Sequence, residues 1–186
     1  MNIQELIATF TSYTRALVTR RQTTFFDIEC EQLLAGNKRK FLRVHYDHKH
    51  EVNVQNRLFK SLSHETDHPL LLEYTEHIYP VQLVSEVKDK VCFLEQLSEA
   101  AADVFGIWRP ANAYCFIPPQ NFIERSYGIL MEAPRSYVDA VISRAATCGV
   151  TLIAGKAQNP REPSAKVLLM DEMYVIADGF RVEQLD

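Results

Sequence analysis

Glu86 and Lys88 are the residues of this chain whose types and spacing bear most directly on chemistry. They close the run Val81-Gln82-Leu83-Val84-Ser85-Glu86-Val87-Lys88, which reads as a strand. Side chains alternate between the faces of a strand, so Val81, Leu83, Ser85 and Val87 share one face and Gln82, Val84, Glu86 and Lys88 the other. Glu86 and Lys88 are then neighbours. A carboxylate can hold a hard divalent cation through oxygen, and an ammonium can steady developing negative charge.

The segment after this pair, Asp89 to Phe105, carries Val91, Leu94, Leu97, Ala101 and Phe105 along one helical seam and is followed by Gly106, a typical C-terminal stop. A strand with Glu-x-Lys followed at once by a helix resembles the catalytic strand and following helix of the PD-(D/E)xK (restriction-endonuclease-like) nuclease superfamily. The expected order of elements from residue 51 to 154 is also similar to that family's core. The resemblance implies an α/β fold with a central mixed sheet flanked by helices, and covers a little over half the chain. It implies metal-dependent hydrolysis of phosphodiester bonds in DNA, with magnesium as cofactor. By resemblance, Glu86 is a magnesium ligand and Lys88 the catalytic cation, while Gln96 and Glu51 supply further polar groups from the following and first helices.

The chain departs from the family pattern at one position. The expected Pro-Asp on the neighbouring strand is represented by Tyr79-Pro80-Val81, which keeps the proline and lacks the aspartate. Glu73 or Glu76 could replace it, with Asp67 a more distant candidate. Glu73 is favoured, on the expectation that residues 69–73 form a strand, because a ligand on a strand is better preorganised than one on a turn. The same departure points to a degenerate member, a catalytically silent relative that keeps the fold as a nucleic-acid- or protein-binding module. An unrelated α/β interaction protein is the third class.

All six histidines, His45, His48, His50, His64, His68 and His77, lie in one short region with Asp47, Glu51, Glu65 and Asp67 among them. Imidazole is a common zinc ligand, and His64 and His68 could share a helix face. The sequence has no His-Glu-x-x-His, no paired-cysteine framework, no nucleophile elbow, no phosphate loop and no dinucleotide fingerprint. Polar loop histidines are the plainer expectation. Trp108, Tyr114 and Phe116 could stack on bases, but their apolar setting favours core packing.

Residues that must position these groups follow familiar patterns. Ile3, Leu6, Ile7, Phe10, Tyr13, Leu17 and Val18 recur at three-and-four spacing, which predicts an opening amphipathic helix. A second helix is expected from Thr24 to Ala35 with Gly36 as its stop, and a third from Glu51 to His64, with Glu51 and Gln55 on the stripe of Leu58 and Leu62. A carboxylate on that buried side needs a partner. Strands are expected at 111–117, 127–131 and 150–154, a linker at 120–126, and a helix begun by Pro134 and ended before Gly149. Residues 166–182 read as a strand pair, or as a strand and turn, with Gly179 as a breaker.

Composition bounds the rest. With 186 residues, 47% hydrophobic and 24% charged, the chain can bury a sizeable core. The expected organisation is an N-terminal helical extension at 1–50 and an α/β nuclease-like domain at 51–186. No apolar run is long enough to span a membrane and no signal peptide is evident, so the expected location is cytoplasmic. Cysteines 30, 92, 115 and 148 are widely separated and read as reduced, mostly buried thiols. A net charge of −4 argues against a protein that coats nucleic acid. It leaves room for a local groove, since Arg15, Arg20, Arg21, Lys38, Arg39, Lys40, Arg43 and Lys49 outnumber the acids between them. DNA is the expected partner, with a second copy of the chain or another protein as the alternative.

Overall fold

The computed structural model describes residues 2–10, 13, 15–32, 38–108 and 127–185. The chain is α/β and divides into two compact units, Met1–Leu71 with Ser164–Asp186, and Leu72–Pro163. In chain order the second unit is an insertion into the first.

The first unit contains α1 (Ile3–Phe10), β1 (Arg15–Arg21), β2 (Phe25–Gln32), β3 (Lys38–Asn53), β4 (Leu58–Phe59), β5 (Ser63–Glu65), a 3-10 turn (Pro69–Leu71) and, after the insertion, β9 (Lys166–Met170) and β10 (Met173–Leu185). Its seven strands run in the order β4-β1-β2-β3-β10-β9-β5, and every pairing is antiparallel. Period-2 alternation explains the sheet: Ala16 and Val18, then Phe26, Ile28 and Cys30, then Leu42, Val44 and Tyr46 all enter one core. Ile3, Leu6 and Phe10 of α1 join that core, with Phe10 stacked on Phe59 at 5.5 Å between ring centroids. The edge strands β4 and β5 are very short, which leaves little open edge for another chain to pair with.

The second unit contains α2 (Leu72–Thr75), β6 (Ile78–Leu83), α3 (Lys90–Phe105), β7 (Gly128–Pro134), α4 (Arg135–Thr147) and β8 (Leu152–Ala154). Its antiparallel sheet has the order β7-β6-β8. The Asp89 carboxylate accepts the Cys92 N–H and so caps α3, while Gly106, in the left-handed region at φ 70°, ends it. Pro134 offers α4 no side-chain cap. Glu76 takes that role, accepting the Ser136 N–H at 2.9 Å and the Ser136 hydroxyl at 2.6 Å. Tyr137, Val138, Val141 and Ala145 of α4 share a core with Phe93, Leu97, Ala101 and Phe105 of α3.

Several expectations are corrected. Among the described residues, two antiparallel sheets stand where one central mixed sheet was expected. The opening helix stops at Phe10, and β1, β2 and β3 occupy Arg15–Arg21, Phe25–Gln32 and Lys38–Asn53, so 1–50 is no helical extension and a boundary at residue 50 would cut β3. The 51–64 segment holds the end of β3 with β4 and β5, and 69–73 lies in the 3-10 turn and α2. Gly179 sits inside β10, and the turn of the strand pair is made at Asp171, φ 52°. Cys92 and Cys148 form a disulfide between the start of α3 and the end of α4, and Cys30 is a buried thiol. The strand expected at 111–117, with Tyr114, Cys115 and Phe116, the 120–126 linker, and the end of the 24–35 helix with Gly36 lie outside the described residues.

Candidate functional site

Strand β6 ends at Leu83, so Glu86 and Lys88 sit on an exposed connection and not on a shared strand face. The cause is local. The Val84 N–H donates to the Thr151 carbonyl, and the Thr151 N–H turns to the Ser85 hydroxyl at 2.8 Å, which stops the ladder with β8. Val87 is then drawn into the core and Asp89 opens α3. Among the described residues neither the Glu86 nor the Lys88 side chain makes an ion pair or hydrogen bond.

The other expected site residues are engaged elsewhere. Glu73 lies on the one-turn helix α2 and not on a strand beside β6. Gln96 accepts from Arg144 at 3.1 Å and donates to Glu99 at 3.2 Å, as part of the contact between α3 and α4. Glu51 belongs to the first unit, on β3, where it accepts from the Tyr174 hydroxyl; this is the partner that a half-buried carboxylate requires. Among the described residues, no set of three His, Cys, Asp or Glu side chains with ligand atoms within 4.8 Å includes Glu73, Glu86 or Glu51.

The histidines also disperse. His45 meets Glu183 at 3.1 Å, His50 meets Asp178 at 2.9 Å, His64 meets Gln4 at 2.9 Å, and His77 donates to the Gln158 carbonyl at 2.9 Å. His68 accepts the Leu70 N–H at 3.2 Å, at the start of the 3-10 turn. The hydrogen bond from His50 holds Asp178 below the usual carboxylate range, and burial holds His64 below the usual imidazole value. His64 is on β5 and His68 beyond it, so no helix face joins them. Trp108, expected in the core, is 70% exposed.

The basic segment 15–49 resolves into two populations. On the outer face of the first unit's sheet, β2 presents Asp27, Glu29 and Glu31 at period 2 between the basic strands β1 and β3. Arg43 pairs with Asp27, Arg39 with Glu29 and Arg15 with Glu31. These pairs neutralise three of the arginines. Arg20, Arg21, Lys38, Lys40 and Lys49 have no carboxylate partner among the described residues, and of these Arg21 and Lys49 converge.

Arg21 and Lys49 line one cavity of about 300 Å3 with Gln22, Thr23, Tyr46 and Val52. Among the described residues no carboxylate lines it. The β1–β2 connection is fixed by the Gln22 N–H donating to the Phe25 carbonyl at 2.8 Å, and by the Tyr46 hydroxyl donating to the Gln22 carbonyl at 2.7 Å. Arg21 is oriented by a hydrogen bond from Nη1 to the Val54 carbonyl at 3.1 Å. Burial pushes the Tyr46 phenol up, and the nearby Arg21 charge opposes it. Lys49 is delivered by an irregularity in β3: Lys49 faces Ala177 and Glu51 faces Ile176, leaving His50 as the extra residue. Bulges of this kind redirect neighbouring side chains. One guanidinium and one ammonium, with the Thr23 hydroxyl and the Gln22 amide on the same lining, make a setting for an anion with several oxygens. The basic bias was visible in the sequence, but isolating Arg21 and Lys49 required knowing which arginines β2 neutralises.

No family model, no curated protein and no solved structure matches this chain.

Proposed function

We propose that the protein is a catalytically silent binding module that holds the phosphates of nucleic acid on its first unit, with Arg21 and Lys49 as the principal contacts. The observation that carries this reading is the cavity of about 300 Å3 lined by both cations and, among the described residues, by no acid. Arg20, its neighbour on β1, lies opposite Asp27 and near the Phe25 ring at 5.8 Å and does not line this cavity. An overall charge of −4 limits the footprint to this locality, so binding is expected to be moderate and strongly salt-dependent.

The exposed, separate placement of Glu86 and Lys88 and the antiparallel sheets weigh against a restriction-endonuclease-like core with magnesium chemistry, and so favour the silent alternative. The test is binding of a labelled DNA oligonucleotide, followed by fluorescence anisotropy, together with a cleavage assay in magnesium or manganese. Binding that persists in chelator, with intact DNA in either metal, is the expected result. Cleavage that requires metal and disappears in Lys88→Ala would return the site to a metal-dependent nuclease.

A further inference from the structure

We propose that the outer face of the first unit's sheet carries a binding site for a small zwitterion, an α-amino acid with an apolar side chain. A cavity of about 400 Å3 opens there, lined by Arg15, Leu17, Glu29, Glu31, Arg39 and Leu58. None of these residues lines the Arg21 and Lys49 cavity, so the two sites stand independently.

The lining has a floor, a rim and a wall. Glu29 and Glu31 project from β2, the middle strand of three, and their side chains are 21% and 12% exposed. Arg39 and Arg15, from the flanking strands, are 58% and 53% exposed. The carboxylates are thus recessed and the guanidinium groups sit above them. Leu17 and Leu58 face each other across β1 and β4 and form the apolar side.

The ion pairs leave capacity for a ligand. Arg15 Nε meets one oxygen of Glu31 at 2.6 Å, and Arg39 Nη1 meets one oxygen of Glu29 at 2.9 Å. The second oxygen of each carboxylate and the other N–H groups of each guanidinium have no partner among the described residues. A simple anion would meet the rim but be repelled by the floor, and a simple cation the reverse. A hydrocarbon would strip water from four charges without replacing it. A molecule with an ammonium and a carboxylate on one carbon satisfies both: its carboxylate docks on a rim guanidinium, its ammonium on the free oxygen of Glu31 or Glu29, and its side chain on Leu17 and Leu58. The cavity lies within the size range of small-ligand sites.

The test is calorimetric or NMR titration of the full chain with L-leucine, leucinamide, N-acetyl-leucine and glycine. Leucine should bind saturably, with leucinamide and N-acetyl-leucine each about tenfold weaker, since each lacks one charge-assisted contact. Glu31→Gln should weaken leucine by about tenfold. Leu58→Ala, at an exposed position, should erase most of the preference for leucine over glycine and keeps the test open if Glu31→Gln misfolds. Absence of saturable leucine binding, equal affinity for leucine and leucinamide, or an unchanged leucine preference in folded Leu58→Ala would overturn the proposal.

Discussion

Arg43 grips Asp27 with both arms: Nε donates to one carboxylate oxygen at 2.7 Å and Nη2 to the other at 3.0 Å, while the guanidinium lies 4.1 Å from the centroid of the Phe25 ring. Asp27 is 8% exposed, the one buried charged residue among the described residues. A carboxylate removed from water to this extent depends on its partner. Arg43→Ala should therefore lower the melting temperature more than the double variant Asp27→Asn, Arg43→Met, which removes both charges. Arg43→Lys should not restore the loss, because an ammonium cannot make the two-armed contact or stack on the ring. Thermal denaturation of the four proteins checks the order; a double variant less stable than Arg43→Ala would contradict it.

The Cys92–Cys148 bridge closes a loop across a sequence separation of 56 residues and joins two helices that also meet through Arg144, which bonds Gln96, Glu99 and Asp103. Loops of this size give roughly 2–4 kcal/mol of stabilisation. Reduction should lower the unfolding free energy of the second unit by about that amount, and Cys92→Ser with Cys148→Ser should match the reduced protein and lose all response to reductant. Denaturant titrations with and without dithiothreitol measure it. Such bridges persist in oxidising surroundings, so thiol trapping at lysis also tests the cytoplasmic location expected from sequence.

Asp171 ties the β9–β10 turn to the chain between β4 and β5. Burial raises its pKa, but the Ser61 hydroxyl and the N–H groups of Lys60 and Ser61 outweigh that effect and hold it below the usual carboxylate value. A depressed folded-state pKa means that the contribution is present above the unfolded value of about 3.9 and is lost as pH falls through the folded one. Asp171→Asn should reduce stability at neutral pH and flatten its decline in acid. Melting curves from neutral to strongly acidic pH report this; an unchanged acid slope in the variant would contradict it.

Helices α3 and α4 were legible because their ends are written in residue types, Asp89 and Gly106 around α3 and Pro134 and Gly149 around α4, whereas the short α2 was read as a strand. The strands of the first unit were not, since Phe25, Ile28 and Leu33 mimic a helical stripe while Phe26, Ile28 and Cys30 carry the period of 2 that the sheet uses. The Glu86 and Lys88 pair looked like chemistry only while Val81 to Lys88 was one strand. Ser85 and Asp89, which divert Thr151 and begin α3, carry the contrary signal, and it becomes readable only once β8 is known to pair with β6. The anion cavity depended on tertiary cancellation of charge: the sequence counts eight basic residues from Arg15 to Lys49, and the alternating acids of β2 decide which of them remain available.

The most direct measurement of the central claim is the salt dependence of duplex DNA binding by the natural protein and by Arg21→Ala with Lys49→Ala. Each phosphate contact on duplex DNA contributes about 0.9 to the slope of log K against log salt. If Arg21 and Lys49 hold phosphates, the double variant binds more weakly and its slope is shallower by about 1.8, with the fold unchanged by circular dichroism. A slope and affinity equal to those of the natural protein, or no DNA binding by the natural protein at low salt, would contradict the account.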